Sequence, residues 1–199
     1  MRTFREIGLA CGTDKVRDHH YDPWYERHLG PLRSRPITLL EFGVYKGASL
    51  RMWEEYFPKA RIFGVDNDPA CRAHAGGRKK VLIGDQADAA FLGRVVAETG
   101  PLDVAVDDGG HRMNQQLISF RALFPRVRQG GFYVVEDLQT SFIAYYGGGV
   151  AGKPGTMMAR LKDAADQLMW AQSDRPPYPP SGPVLALHLY PRICFVERA

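Results

Sequence analysis

The chain has 199 residues, enough for one domain of ordinary size and too few for two full ones. Hydrophobic residues make up 45% and charged residues 24%, which excludes wholesale disorder, and no apolar run nears the roughly 20 residues of a membrane span. The net charge of +4 comes from basic residues scattered along the chain, with Lys79-Lys80 the only adjacent lysines, so no nucleic-acid partner is expected.

Residues 1–36 form an N-terminal arm carrying Gly12-Thr-Asp-Lys15, His19-His20-Tyr21 and Trp24-Tyr25. Short apolar runs rich in β-branched and aromatic residues follow at 37–44, 61–66, 80–84, 102–107 and 131–136, each bounded by Gly, Pro or Asp, and read as strands. They are nearly continuous in hydrophobicity, as expected of parallel strands covered on both faces. Between them, 49–57 reads as a helix stopped by Pro58, 87–99 as one stopped by Gly100-Pro101, and 114–128 as one stopped by Gly130-Gly131. The alternation predicts a doubly wound α/β sheet.

Residues 139–182 are an insert after the fifth strand. They hold Tyr145-Tyr-Gly-Gly-Gly149, a helix at about 156–171 and the loop Pro176-Pro-Tyr-Pro-Pro180. The insert reads either as a mobile cover over a site or as a surface excursion. The runs 184–190 and 192–197 are joined only by Pro191, too short a link for a parallel crossover, so they pair as an antiparallel hairpin. Cys11, Cys71 and Cys194 are too few and too scattered for a disulfide framework. The N-terminus lacks the apolar core of a signal peptide, and the expectation is a cytoplasmic single-domain protein (1–199) without a membrane partner.

Ligands of open α/β sheets sit beyond the carboxyl ends of the strands. There the first strand carries Glu41-Phe-Gly43-Val-Tyr-Lys-Gly47-Ala-Ser49, whose glycines allow a tight turn and close backbone approach. The spacing E-x-G-x-x-x-G differs from the dinucleotide fingerprint G-x-G-x-x-G, and an acid before the first glycine suits a cationic ligand such as S-adenosylmethionine. Asp66, ending the second strand, can accept from ribose hydroxyls. Gly84-Asp85-Gln86 ends the third strand near the adenine edge, although Asp85 also reads as a plain helix N-cap. Asp107 is grouped with these donor residues.

Asp107-Asp-Gly-Gly-His111 ends the fourth strand and Glu136-Asp137 the fifth. Adjacent strands lie about 4.8 Å apart, so these acids converge and repel unless a cation sits among them. Hard oxygen ligands with room for water and substrate describe a Mg²⁺ site. Glu136 and Asp137 are consecutive, so the strand must turn there for both to reach one ion. His111, past two glycines, can serve as a general base. His188 reads as structural, and His74 and the His19-His20 pair have no assigned role.

These motifs together resemble the metal-dependent sugar O-methyltransferases of natural-product pathways, and Gly12-Thr-Asp-Lys15 with His20-Tyr21 resembles their N-terminal segment. The resemblance implies the class I methyltransferase fold, a seven-stranded sheet of order 3-2-1-4-5-7-6. It implies Asp108, Glu136 and Asp137 as Mg²⁺ ligands, His111 as base, and Glu41, Gly43, Asp66 and Asp85 in the donor site. The acceptor is then a sugar or oligosaccharide hydroxyl, with Tyr21, Trp24, Tyr145 and Tyr146 as its aromatic contacts. Gly110 departs from the Ser or Ala of many relatives, which loosens the loop holding His111. A catechol acceptor, a hydroxylase-like oxidoreductase and a non-catalytic nucleoside-binding module are the competing readings. A homodimer is expected from Trp24 and Tyr25 packing on a neighbour.

Overall fold

The computed structural model describes residues 1–170 and 183–199. The proline loop at 176–180 lies outside the described residues. Three short helices come first: α1 (Phe4–Cys11), α2 (Asp14–Arg17) and α3 (Asp22–Leu29). Alternation then begins with β1 (Thr38–Phe42), α4 (Ala48–Tyr56), β2 (Arg61–Asp66), β3 (Lys79–Ile83), α5 (Ala89–Thr99), β4 (Leu102–Asp107), α6 (Met113–Leu123) and β5 (Val127–Val135). The chain closes with α7 (Met157–Trp170), β6 (Val184–Tyr190) and β7 (Ile193–Arg198).

The seven strands form one sheet in the order β3-β2-β1-β4-β5-β7-β6. Pairings among β1 to β5 are parallel, whereas β7 runs antiparallel to both β5 and β6. This is the expected order, hairpin included. Successive residues of the central strands supply opposite cores, because strand side chains alternate between faces. Leu39, Val104 and Val134 pack with the arm and α4, while Leu40, Ala105 and Tyr133 pack with α5, α6 and α7. Among the described residues no helix is long and apolar enough to cross a membrane.

One predicted boundary moves. Helix α6 ends at Leu123 and gives way to a 3₁₀ turn at Phe124–Arg126 around Pro125, and β5 begins at Val127. Proline lacks the N–H that the next helical turn needs, so it stops the helix earlier than the glycines do. Leu102 pairs with Val127 and Val104 with Phe132, so an irregularity absorbs the added residues.

The arm is core rather than appendage. Thr3 and Glu6 form a reciprocal capping box at the start of α1. Phe4 stacks on Tyr25 at 5.0 Å and meets the edge of Trp53 at 5.4 Å. Trp24 stacks on Tyr190 of β6 at 3.9 Å. Both rings expected to face a neighbouring copy are thus engaged within this chain. The described part of the insert, residues 139–170, is also held down: Thr140, Ser141, Met157 and Leu161 are buried, and Lys153 donates to the carbonyls of Gly147 and Gly148.

Where α3 meets the hairpin, His28 shares a hydrogen bond of 2.9 Å with the Tyr190 hydroxyl and its ring lies 4.4 Å from that of His188. Burial, with the charges of His188 and Arg27, pushes its pKa from 6.5 down to about 4. The unfolded chain therefore binds a proton that the folded chain refuses between those values. This contribution to stability is complete above pH 6.5 and is lost as pH falls toward 4. Urea unfolding at pH 7 and pH 4.5 is expected to show a smaller acid loss for His28→Gln than for the parent protein.

Candidate active site

A cavity of about 390 Å³ opens beyond the carboxyl ends of the parallel strands, within the usual range for small-molecule sites. Gly43, Ser49, Asp66, Asp85, Gln86, Asp108, His111 and Asp137 line it, and so do Thr13, Asp14, Tyr45, Lys46, Asn67 and Gln115. The turn after β1 is built by contact. Gly43 has φ +89, and a Cβ there would lie 2.0 Å from the Asp108 carbonyl oxygen, so only glycine lets the two strand ends approach. Asp66 ties the same turn to β2. Its Oδ2 accepts from the Val44 and Tyr45 amides at 2.9 and 3.0 Å, and its Oδ1 from Asp68 at 3.0 Å. Despite partial burial, these amides hold its carboxyl below the usual range. Asp85 accepts from the Ala87 amide at 2.8 Å and also lines the cavity, whereas Asp88 caps α5.

Asp107 lies behind this wall. It is fully buried and accepts from Gln86 Nε2 at 3.0 Å, Ser119 Oγ at 2.5 Å and Tyr133 Oη at 2.8 Å. Gln86 turns its other end to the loop, where Oε1 accepts from the Gly110 amide at 3.1 Å. A Cβ at Gly109 would lie 1.9 Å from that oxygen. Gln86 is therefore a strut between a buried carboxylate and the loop that carries His111, and this tether opposes the looseness expected from Gly110.

The remaining acids gather around a residue to which the sequence assigned no role. Lys15 of α2 is fully buried, and its Nζ meets Glu41 Oε1 at 3.1 Å, Glu136 Oε1 at 2.8 Å and Asp108 Oδ2 more closely still. Burial alone would push this ammonium down, but Asp108, Glu136 and Glu41 together lift it well above its usual range. One cation cannot balance three carboxylates. Burial and the charge of Asp108 push Glu136 well up. The Tyr25 hydroxyl also donates to Glu136 Oε1, and Ser49 Oγ donates to Glu41 Oε2 at 2.6 Å.

Glu136 and Asp137 do not point the same way. Asp137 has φ +52, a left-handed turn that sends its side chain outward while Glu136 stays inside. Asp137 Oδ2 lies 3.5 Å from His111 Nε2, and Asp108 Oδ1 lies 4.0 Å from the same nitrogen. Asp108, His111 and Asp137 offer ligand atoms all within 4.8 Å of one another, the one such grouping among the described residues with the geometry to hold a metal ion. His111 Nδ1 is buried without a hydrogen-bond partner. Of the three expected metal ligands, Asp108 and Asp137 converge; Glu136 stands outside the cluster, with its Oε1 held by Lys15 and Tyr25.

Glu41, Gly47 and Asp107 stand outside the cavity wall. Glu41 holds Lys15 and Ser49, while Gly47 begins α4 at φ +69 against His74. Of the expected acceptor contacts, Tyr21 is buried and donates to Asp137, and Trp24 packs on Tyr190. Tyr146 meets the His111 ring edge-on at 6.4 Å, and Tyr145 is exposed beneath the Arg112 guanidinium. The motif Gly12-Thr-Asp-Lys15 was the available signal for Lys15, but nothing local announces that a lysine will be buried. Gln86→Ala should strip Asp107 and Gly110 of one partner each. The expected cost is about 1–3 kcal/mol, read by thermal unfolding, with faster hydrogen exchange in residues 108–112.

Residues 40–138 match the family described as a methyltransferase domain. The chain is 37% identical over 203 residues to the 8-demethyl-8-alpha-L-rhamnosyl tetracenomycin-C 2'-O-methyltransferase of Streptomyces olivaceus, covering 96% of this chain and 53% of that protein. It is 37% identical over 194 residues to the mycinamicin VI 2''-O-methyltransferase of Micromonospora griseorubida, covering 90% and 48%. The solved structure of the MycE methyltransferase in complex with Mg, SAH and mycinamycin VI superposes with a TM-score of 0.92 at 34% identity, over 99% of this chain and 53% of that one. The chain thus spans about half the length of the curated relatives it matches. Residues 40–138 match a methyltransferase domain, in a chain that has the class I methyltransferase fold and is similar, along most of its own length, to about half the length of sugar O-methyltransferases of macrolide and tetracenomycin pathways.

Proposed function

We propose that this chain carries an S-adenosylmethionine- and Mg²⁺-dependent O-methyltransferase activity toward a hydroxyl of a sugar in a glycosylated natural product or oligosaccharide. The observation that carries the reading is the convergence of Asp108, His111 and Asp137 at a cavity walled by Gly43, Asp66 and Asp85. Relatives named as methylating rhamnosyl tetracenomycin and mycinamicin support the sugar, and the MycE complex with Mg and SAH supports donor and metal.

The chain's own residues divide the task. Gly43 lets the backbone approach the donor, and Asp66 and Asp85 offer acceptors to its hydroxyl and amine groups. Asp108 and Asp137 would hold Mg²⁺, their hard oxygens and surplus negative charge fitting that ion. When bound, Mg²⁺ supplies a Lewis acid that makes the acceptor hydroxyl easier to deprotonate. His111 presents Nε2 toward the two aspartates and takes the hydroxyl proton there. The oxygen's electron pair forms the new bond to the methyl carbon. The carbon–sulfur bond breaks in line, and its electron pair returns to sulfur as a neutral thioether.

Mass spectrometry of a panel of glycosides and oligosaccharides incubated with donor and Mg²⁺ should show gain of one methylene on a sugar, with catechols as the comparison arm. Gain on catechols alone would overturn the sugar assignment. His111→Ala should retain donor binding, seen as a thermal shift, while turnover falls about 10²- to 10⁴-fold; retained turnover would clear His111 of the base role.

A further inference from the structure

The two oxygens of Asp108 do different things, and so do those of Asp137. In Asp108, Oδ2 accepts from Lys15 Nζ while Oδ1 faces His111 Nε2 at 4.0 Å. In Asp137, Oδ1 accepts from Tyr21 Oη at 3.0 Å and Gln139 Nε2 at 3.1 Å, with His19 Nδ1 4.0 Å away, while Oδ2 faces His111 Nε2 at 3.5 Å. The clamping groups are not surface side chains. Lys15 is fully buried and Tyr21 is 1% exposed, so neither is readily replaced by water.

We propose that Lys15 and Tyr21 are positioning residues that restrict each aspartate to one oxygen toward the cation and so make the site select Mg²⁺ over Ca²⁺. This rests on the metal site of the proposed function. Ca²⁺ takes six to eight oxygens and often uses both oxygens of one carboxylate. Mg²⁺ takes an octahedral set with one oxygen from each carboxylate and keeps several waters. An aspartate whose far oxygen is held by a buried donor cannot turn both oxygens to an ion without breaking that bond. At Asp108 the break would also weaken the pairing of a buried ammonium, which is costly. Partners behind the ligands thus set how many oxygens each ligand offers.

The positive charge of Lys15 opposes any divalent cation, so it lowers absolute affinity without favouring either ion. The ratio of affinities is therefore the diagnostic quantity. Isothermal titration calorimetry of the whole chain with MgCl₂ and with CaCl₂ should give tighter Mg²⁺ binding in the parent protein. Tyr21→Phe combined with Gln139→Leu releases Asp137 Oδ1, and the preference for Mg²⁺ should fall about tenfold, mainly through tighter Ca²⁺ binding. Tyr56→Phe, which removes a hydroxyl bonded to Glu26 away from the cluster, should leave the ratio unchanged. If Lys15→Met folds, both ions should bind more tightly and the preference should again shrink. An unchanged ratio in the folded Tyr21→Phe/Gln139→Leu protein overturns the proposal while leaving the metal site standing. A parent protein that binds neither ion overturns both.

Discussion

One buried ammonium ties the N-terminal arm to three strand ends. Glu41 ends β1, Asp108 follows β4 and Glu136 follows β5, and Lys15 of α2 reaches all three. Without that cation, acids this close and this buried would have to take up protons or spread apart. Removing one partner from a buried ion pair typically costs about 3–5 kcal/mol, comparable to the loss of a large core side chain. The arm's aromatic packing makes the arrangement possible, since Phe4 and Tyr25 seat α1 and α3 against Trp53 and place α2 over the sheet edge. The hydrophobic core and the electrostatic centre therefore depend on each other.

Around that centre the backbone adopts conformations that side-chain-bearing residues rarely take. Tyr45, His111 and Asp137 have φ of +47, +56 and +52, and each follows a strand. Such conformations cost about 1–3 kcal/mol each and persist where surrounding contacts overdetermine them. The contacts are present: Asp66 holds the Tyr45 amide, Gln86 holds the Gly110 amide beside His111, and Leu138 donates to the Arg192 carbonyl just after Asp137. At Asp137 the turn has a direct consequence, separating two consecutive acids into an inner one on Lys15 and an outer one facing His111.

The fold was legible because its signals are local. Continuous apolar runs between helix stops mark buried parallel strands, and a single proline between two runs permits only a hairpin. The end of α6 is less legible, because Gly130-Gly131 marks a stop several residues beyond Pro125, and proline is the stronger one. The cavity wall was legible in the same way, since Gly43, Asp66, Asp85, Asp108, His111 and Asp137 all sit at strand ends. The inner acids were not. Glu41, Asp107 and Glu136 also belong to strand ends, but their partners Lys15, Tyr133 and Tyr25 lie 26 to 111 or more residues away in sequence. A pattern of residue types shows where a carboxylate sits, whereas its partner is decided by packing across the sheet. The same limit applies to Tyr21 and Trp24, whose exposure depends on how the arm docks.

The division of the acids also bears on what the cavity can hold. Asp107 receives three donors from uncharged side chains and stays inside the wall. Glu41, Asp108 and Glu136 share one resident ammonium, and Asp137 adds another carboxylate beside them, so acidic groups outnumber the fixed positive charge around the centre. Low-dielectric surroundings make such an excess expensive, and a ligand set that cancels it is correspondingly favoured. A divalent cation and a sulfonium would each reduce that excess. A dinucleotide pyrophosphate would deepen the imbalance. Charge thus discriminates between ligand classes even where the sheet and its glycine turn would accommodate either.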